Sequence, residues 1–254
     1  MIELRHSSGA RAMVNPEGAF VESLELADRT PLIYARRDMP TSGKNRGGIP
    51  VCAPIFGPGE SVGLNQHGFA RNLRWEVIEQ ADSQVKLTLD NLGSQMQDLP
   101  PAYWGCSMEL TVELIANDDR VGLRESLLLR NTGTESYIAN PAFHPYFPVR
   151  QGRSAEKYEV QIDDRAQQFM SSELAATRKI KSVNSFAILR YFTEVWEVHS
   201  KGLPFFAVWT DTPDSFICVE PTESGYISDA PADELPPNRE KTVQMELLFR
   251  RPGV

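Results

Sequence analysis

No stretch of this sequence approaches the ~20 consecutive apolar residues of a bilayer-spanning helix. Its start, Met1-Ile2-Glu3-Leu4-Arg5-His6, carries no apolar segment of the kind that heads a secretory signal. These absences lead to the expectation of a cytoplasmic protein with no membrane partner. Cysteine is scarce: Cys52, Cys106 and Cys218 are odd in number and widely spaced, which suits neither a disulfide framework nor a local zinc site. Buried free thiols are expected instead. The four histidines, His6, His67, His144 and His199, form no i,i+4 pair and have no cysteine close by in sequence, so no metal is expected. Positive charge is in deficit, with 26 Lys and Arg against 34 Asp and Glu and a net charge of −8. That balance argues against nucleic acid as a partner, and an anionic small molecule would need a local group of cations. Ser42-Gly43-Lys44 lacks the upstream glycine of a phosphate-binding loop, and no G-x-S-x-G elbow is present.

What the sequence has in abundance is period-two alternation of apolar and polar residues, with no sustained helical stripe, and this predicts an all-β protein. Trp75–Ile78 and Val85–Leu89 flank the turn Ala81-Asp82-Ser83. Met108–Ile115 and Val121–Leu129 flank Asn117-Asp118-Asp119, and each pair is expected to form an antiparallel hairpin. The turn Asn131-Thr132-Gly133-Thr134 then leads to Tyr137-Ile138-Ala139 and His144, read as a continuing meander. Further strands are expected at Tyr158–Ile162, Phe186–Phe192, Phe205–Trp209, Phe216–Val219 and Val243–Phe249. That number of strands calls for two packed antiparallel sheets. Asp163–Ser185 fits neither period and reads as irregular or briefly helical, while Pro50–Pro58 and Ala230–Pro237 read as long loops.

Several chemically capable residues lie in short, glycine- or proline-marked segments. Arg46-Gly47-Gly48-Ile49-Pro50 and Gln66-His67-Gly68-Phe69-Ala70-Arg71 place two guanidiniums and an imidazole beside backbone that a ligand can approach closely. His144 lies among aromatics in Phe143-His144-Pro145-Tyr146-Phe147, where burial would lower its pKa unless a carboxylate sits nearby. Glu220 ends the apolar run Phe216-Ile217-Cys218-Val219 and precedes Pro221, which is expected to stop the strand.

In this order the four motifs resemble those of the aldose 1-epimerase (galactose mutarotase-like) family, in its hexose-6-phosphate 1-epimerase branch. The resemblance implies a large, twisted antiparallel β-sandwich, with residues 1–254 forming a single domain of that type. It implies a cofactor-independent isomerase that interconverts sugar anomers, with a sugar or sugar phosphate as its small-molecule partner. Such a reaction needs a base for the anomeric hydroxyl and an acid for the ring oxygen. By resemblance Glu220 is the base, His144 the acid and His67 a helper beside the ring. Arg46 and Arg71 would hold the phosphate, with Lys44 adding charge. The family's further sugar-binding aspartate lacks its usual sequence context here, and Asp163 and Asp164 are the nearest candidates. Pro145 also stands where threonine or serine is common. A neutral aldose as substrate, a non-catalytic sugar-binding sandwich, and a hydrolase or lyase on a related sandwich stay open alternatives.

Overall fold

A computed structural model describes residues 1–35, 37–38, 45–90, 92–117, 119–149, 157–170, 173–191, 194–226 and 233–250. The architecture is an antiparallel β-sandwich. Its larger sheet has nine strands, in the order Arg165–Met170, Lys157–Ile162, Phe186–Tyr191, Glu194–Lys201, Glu240–Arg250, Arg120–Asn131, Cys106–Ala116, Gln84–Leu89 and Glu76–Gln80. The smaller sheet has six: Arg178–Lys181, Phe205–Trp209, Phe216–Thr222, Ala142–Phe143 and Val51–Cys52 in sequence across it, with Tyr146–Pro148 also paired to Phe216–Thr222. A three-stranded sheet, Ile2–Arg5, Arg11–Asn15 and Phe20–Glu25, adds its buried residues to the same continuous core. No helix among the described residues is long and apolar enough to cross a membrane.

Alternation produces this arrangement directly. Cys106–Ala116 buries every second side chain, among them Met108, Leu110, Val112 and Leu114, and Arg120–Asn131 does the same with Leu123, Leu127 and Leu129. The opposite face carries cross-strand ion pairs. Arg124 donates to Glu113 at 2.8 Å and to Glu246 at 2.8 Å, and Arg130 donates to Glu109 and to Glu240. Such exposed pairs add little stability each but favour this register over its neighbours. Cys52, Cys106 and Cys218 are buried and free, as expected.

Both expected hairpins are present, and the remaining expected strands appear within a few residues of their expected ends. Four expectations need correction. Pro50–Pro58 and Ala230–Pro237 are not wholly loop, since they contain the short strands Val51–Cys52 and Glu234–Leu235. Asp163–Ser185 is not irregular: it contains the strands Arg165–Met170 and Arg178–Lys181, which sit at sheet edges where one-sided burial weakens the alternation. The chain after Asn131 does not continue the meander, since Tyr137–Ile138 pairs with Glu234–Leu235 and Ala142–Phe143 has crossed to the smaller sheet. Nor does Pro221 end its strand, which runs through Phe216–Thr222. On one side of that strand the Cα partners run from Phe216 to Cys218 and resume only at Thr222. Pro221 falls in this gap, so its missing N–H breaks no ladder there.

One inward position violates the pattern. Glu125, on Arg120–Asn131 between Val112 and Met245 of the flanking strands, is 0% exposed, and neither carboxylate oxygen has a hydrogen-bond partner. Burial pushes its pKa up from 4.5 to about 8. The native state therefore holds this proton more tightly than the unfolded chain. Stability from the protonated form is complete below pH 4.5 and is lost as pH rises toward about 8. Glu125→Gln removes the titration, so its stability relative to wild type is expected to rise by up to roughly 5 kcal/mol between pH 4.5 and pH 8. Urea unfolding of both proteins across that window measures the difference, and parallel curves would refute the assignment.

Candidate functional site

The smaller sheet presents one face to a cleft of about 480 Å³, lined by Arg46, Phe56, Gln66, His67, Arg71, His144, Tyr146, Ala175, Thr177, Trp209, Asp211, Glu220 and Tyr226. Strand register explains which side chains meet there. Tyr146, Cys218 and Trp209 lie opposite one another on three neighbouring strands, and Glu220 lies opposite Ala207. Residues two apart on a strand share a face, so Glu220 follows Cys218 on the cleft side. His144 precedes Tyr146 by two residues and stacks on its ring at 4.7 Å with an interplanar angle of 5°. The methyl side chain of Ala207 leaves room for the Glu220 carboxylate.

His144 Nε2 lies 3.5 Å from Glu220 Oε2. The two residues are 5% and 1% exposed. Neither Glu220 Oε2 nor His144 Nδ1 has a hydrogen-bond partner. Burial drives both toward their neutral forms. It raises the Glu220 pKa well above 4.5, against the nearby positive charge of Arg71. It lowers the His144 pKa well below 6.5, with His67, Arg71 and Arg46 adding to the effect. Both shifts favour a neutral carboxyl and a neutral imidazole over the ion pair. Glu220 is the carboxylate beside His144, but it does not offset burial, since the His144 pKa still falls.

The glycine-marked segments bring the cations in. Gly48 donates its N–H to Tyr34 O and accepts from Tyr146 N, and His144 N bonds to Pro50 O, so the Arg46–Pro50 strip runs alongside the His144 segment. At Gly48 φ is +70°, and a Cβ there would lie 2.5 Å from the Phe20 ring and Val21 O, so only glycine fits. Arg46 donates through Nε and Nη2 to Asp211 Oδ2, at 3.2 and 2.7 Å, and lies over the Trp209 ring. Arg71 donates to Gln66 O at 3.1 Å and has no acidic partner among the described residues.

His67 is 7% exposed, with φ +66°. Its N–H donates to Gly57 O, and Gly57 N–H donates to His67 Nδ1 at 3.1 Å. The remaining ring proton is thereby assigned to Nε2, making His67 a donor. Burial lowers its pKa to about 3, with Arg71 and Arg46 contributing, so it stays neutral. Across the cleft, Asn140 Nδ2 donates to Gly225 O and its Oδ1 accepts from Ser224, holding the segment that carries Tyr226. Tyr226 in turn hydrogen-bonds Thr177 at 2.7 Å.

The structure thus gathers Arg46, His67, Arg71, His144 and Glu220 around one cleft. Asp163 is not among its lining residues: its carboxylate accepts from Ser182 Oγ, Val183 N and Asn184 N and closes that turn. Asp164 is exposed and also absent from the lining. Lys44 lies outside the described residues. The acid that does reach the cleft, Asp211, was not picked out by sequence reasoning. Its only signal was a position two residues after the strand ending in Trp209.

The sequence and the fold both have counterparts among known proteins. A protein of Salmonella typhimurium, provisionally named glucose-6-phosphate 1-epimerase, is 30% identical over 137 residues, which is 52% of this chain and 43% of the relative. A protein of Escherichia coli with the same provisional name is 33% identical over 140 residues, with the same coverage. The matches thus span less than half the length of these curated relatives. Two solved structures show the fold. A galactose mutarotase-like protein of Lactobacillus casei has a TM-score of 0.78 at 17% identity, over 98% of this chain and 100% of its own. A Synechocystis protein has a TM-score of 0.75 at 22% identity, over 98% and 95%. The profile of the family described as aldose 1-epimerase matches residues 1–195, more than half of the sequence, and the chain belongs to that family.

Proposed function

We propose that this chain is a mutarotase that interconverts the α and β anomers of a hexose 6-phosphate, working as one domain and without a cofactor. The observation that carries the reading is the buried His144–Glu220 pair, 3.5 Å apart on the wall of a sugar-sized cleft. Ring opening removes a proton from the C1 hydroxyl and delivers one to the ring oxygen, so the number of protons on the enzyme is unchanged. A one-proton pair suits that demand. Starting from the tautomer in which the pair's proton has passed from Glu220 to His144, Glu220 takes the hydroxyl proton while the His144 imidazolium protonates the ring oxygen; closure on the other face of C1 reverses both transfers. His67 Nε2–H, neutral and fixed by Gly57, adds a hydrogen bond at the ring or a neighbouring hydroxyl.

Arg71 supports the phosphate. The whole chain carries a charge of −8, and Arg46 is already engaged by Asp211, which leaves Arg71 as the cation best placed for an anion. The provisional names of the curated relatives point to the same substrate. A neutral aldose is the second reading, favoured by the Asp211 carboxylate that offsets Arg46 in the cleft.

Anomer exchange followed by NMR on glucose 6-phosphate and on glucose separates these readings. Glu220→Gln keeps the shape but cannot accept a proton, and turnover is expected to fall ~10²–10⁴-fold with little change in KM. An unaffected rate would remove Glu220 from the chemistry. Arg71→Met is expected to raise KM for the phosphorylated sugar by ~10–100-fold, the worth of a charge-assisted hydrogen bond, and to leave exchange of glucose unaltered. Equal effects on both sugars would favour the neutral substrate. Because His144 is held below its ordinary value, the acidic fall in kcat/KM is expected at a pH under 6.5. An acidic limb near or above neutrality would contradict the one-proton pair.

A further inference from the structure

The cleft face holds one group that the proposed reaction does not use. Cys218 is 0% exposed and sits one row from Glu220 on the same face of Phe216–Thr222. One donor atom each from His144, Cys218 and Glu220 lies within 4.8 Å of the other two. We infer that these three side chains form an inhibitory site for a borderline divalent cation of the Zn²⁺ type.

Four observations carry this. The first is spacing: donors bound tetrahedrally to one zinc at ~2.0–2.3 Å lie roughly 3.4–3.6 Å apart. His144 Nε2 and Glu220 Oε2 already stand at 3.5 Å, so the thiol sulfur need approach by only about 1 Å. The second is donor chemistry. One imidazole, one thiol and one carboxylate select zinc or cobalt over magnesium or calcium, which require oxygen ligands. The third is orphaned valence, since Glu220 Oε2, one of the two atoms at 3.5 Å, has no hydrogen-bond partner although its residue is 1% exposed.

Charge is the fourth. A thiolate, a carboxylate and a neutral imidazole carry two negative charges, which a divalent cation cancels, so the buried complex is neutral overall. The balance is one cation bound and two protons released, one from the Cys218 thiol and one from the His144–Glu220 pair. Three protein donors leave a fourth tetrahedral position for water. Histidine and cysteine spacing in the sequence concealed the trio, because its members stand at 144, 218 and 220.

Occupancy removes both the base and the pair's proton, so a bound cation silences exchange until a chelator withdraws it. This consequence rests on the proposed mutarotase reading; the binding itself does not.

The test is titration of the chelator-treated full chain with Co²⁺. One equivalent is expected to raise a thiolate-to-cobalt charge-transfer band in the near ultraviolet, and Zn²⁺ is expected to displace it and to stop anomer exchange. Cys218→Ala should abolish the band and weaken zinc inhibition by more than the ~10–100-fold that loss of an outer partner alone costs, whereas Cys106→Ala should change neither. Absence of the band in folded wild type, or its survival in Cys218→Ala, overturns the inference. Should Cys218→Ala fail to fold, Glu220→Gln keeps the thiol and is expected to weaken cobalt binding at least ~10-fold while retaining the band; unchanged affinity overturns it equally. Cobalt binding through Cys218 without metal-free anomer exchange would reject the mutarotase alone. Metal-free exchange without the band would reject the metal site alone.

Discussion

Removing a carboxyl group and an imidazole from water is costly unless each finds a partner, and in this molecule their main partner is each other. Glu220 and His144 sit 3.5 Å apart with almost no solvent contact. The surrounding construction follows from keeping that pair dry, close and open on one side. Tyr146 supplies a parallel ring under the imidazole, Trp209 meets it edge-on at 5.9 Å, and Ala207 opposite Glu220 keeps the carboxyl from being crowded. A sheet is well suited to this task, because neighbouring strands hold their side chains at fixed separations set by the hydrogen-bond ladder.

The cations reach the pair by another route, through loops rather than strands. Gly48 lets the Arg46 strip pass against Phe20 and Val21, and Gly68, with φ +71°, would place a Cβ 2.3 Å from Ala53 O. Arg46 and Arg71 are thus fixed near the cleft by backbone that tolerates no side chain at those two points. Their environments differ. Arg46 is neutralised locally by Asp211, whereas Arg71 donates only to a carbonyl among the described partners. The two cations of the cleft are therefore unequally compensated.

Much of this was legible in the chain because two kinds of signal are local. Alternation marks strands wherever one face is buried, and Phe205–Trp209 appears with the bounds that its pattern implies. The motifs around residues 46, 67, 71, 144 and 220 combine unusual residue types with glycine or proline, and the fold brings all five together. Strand order was not legible, since alternation is the same whichever neighbour a strand selects. The departure of Tyr137–Ile138 from the expected meander is one result. Asp211 and Asp163 show the same limit for single side chains. One becomes a cleft residue by pairing across 165 positions with Arg46, and the other turns back to cap residues 182–184. Glu125 escaped notice for the opposite reason, as an inward-facing acid contradicts the binary pattern on which strand reading depends.

The order of strands in the larger sheet also governs assembly during synthesis. Glu240–Arg250 lies between Arg120–Asn131 and Glu194–Lys201, both of which leave the ribosome earlier. Until that strand emerges, two long neighbours display unpaired edges facing each other, and each is open to pairing with the wrong strand or with another nascent chain. Arg130 waits 110 residues for its partner Glu240. The hairpins form early from local contacts, but the sandwich closes only when this late strand is inserted, which makes for slow, non-local folding. A ribosome pause before residue 240 would therefore prolong exposure of the two edges.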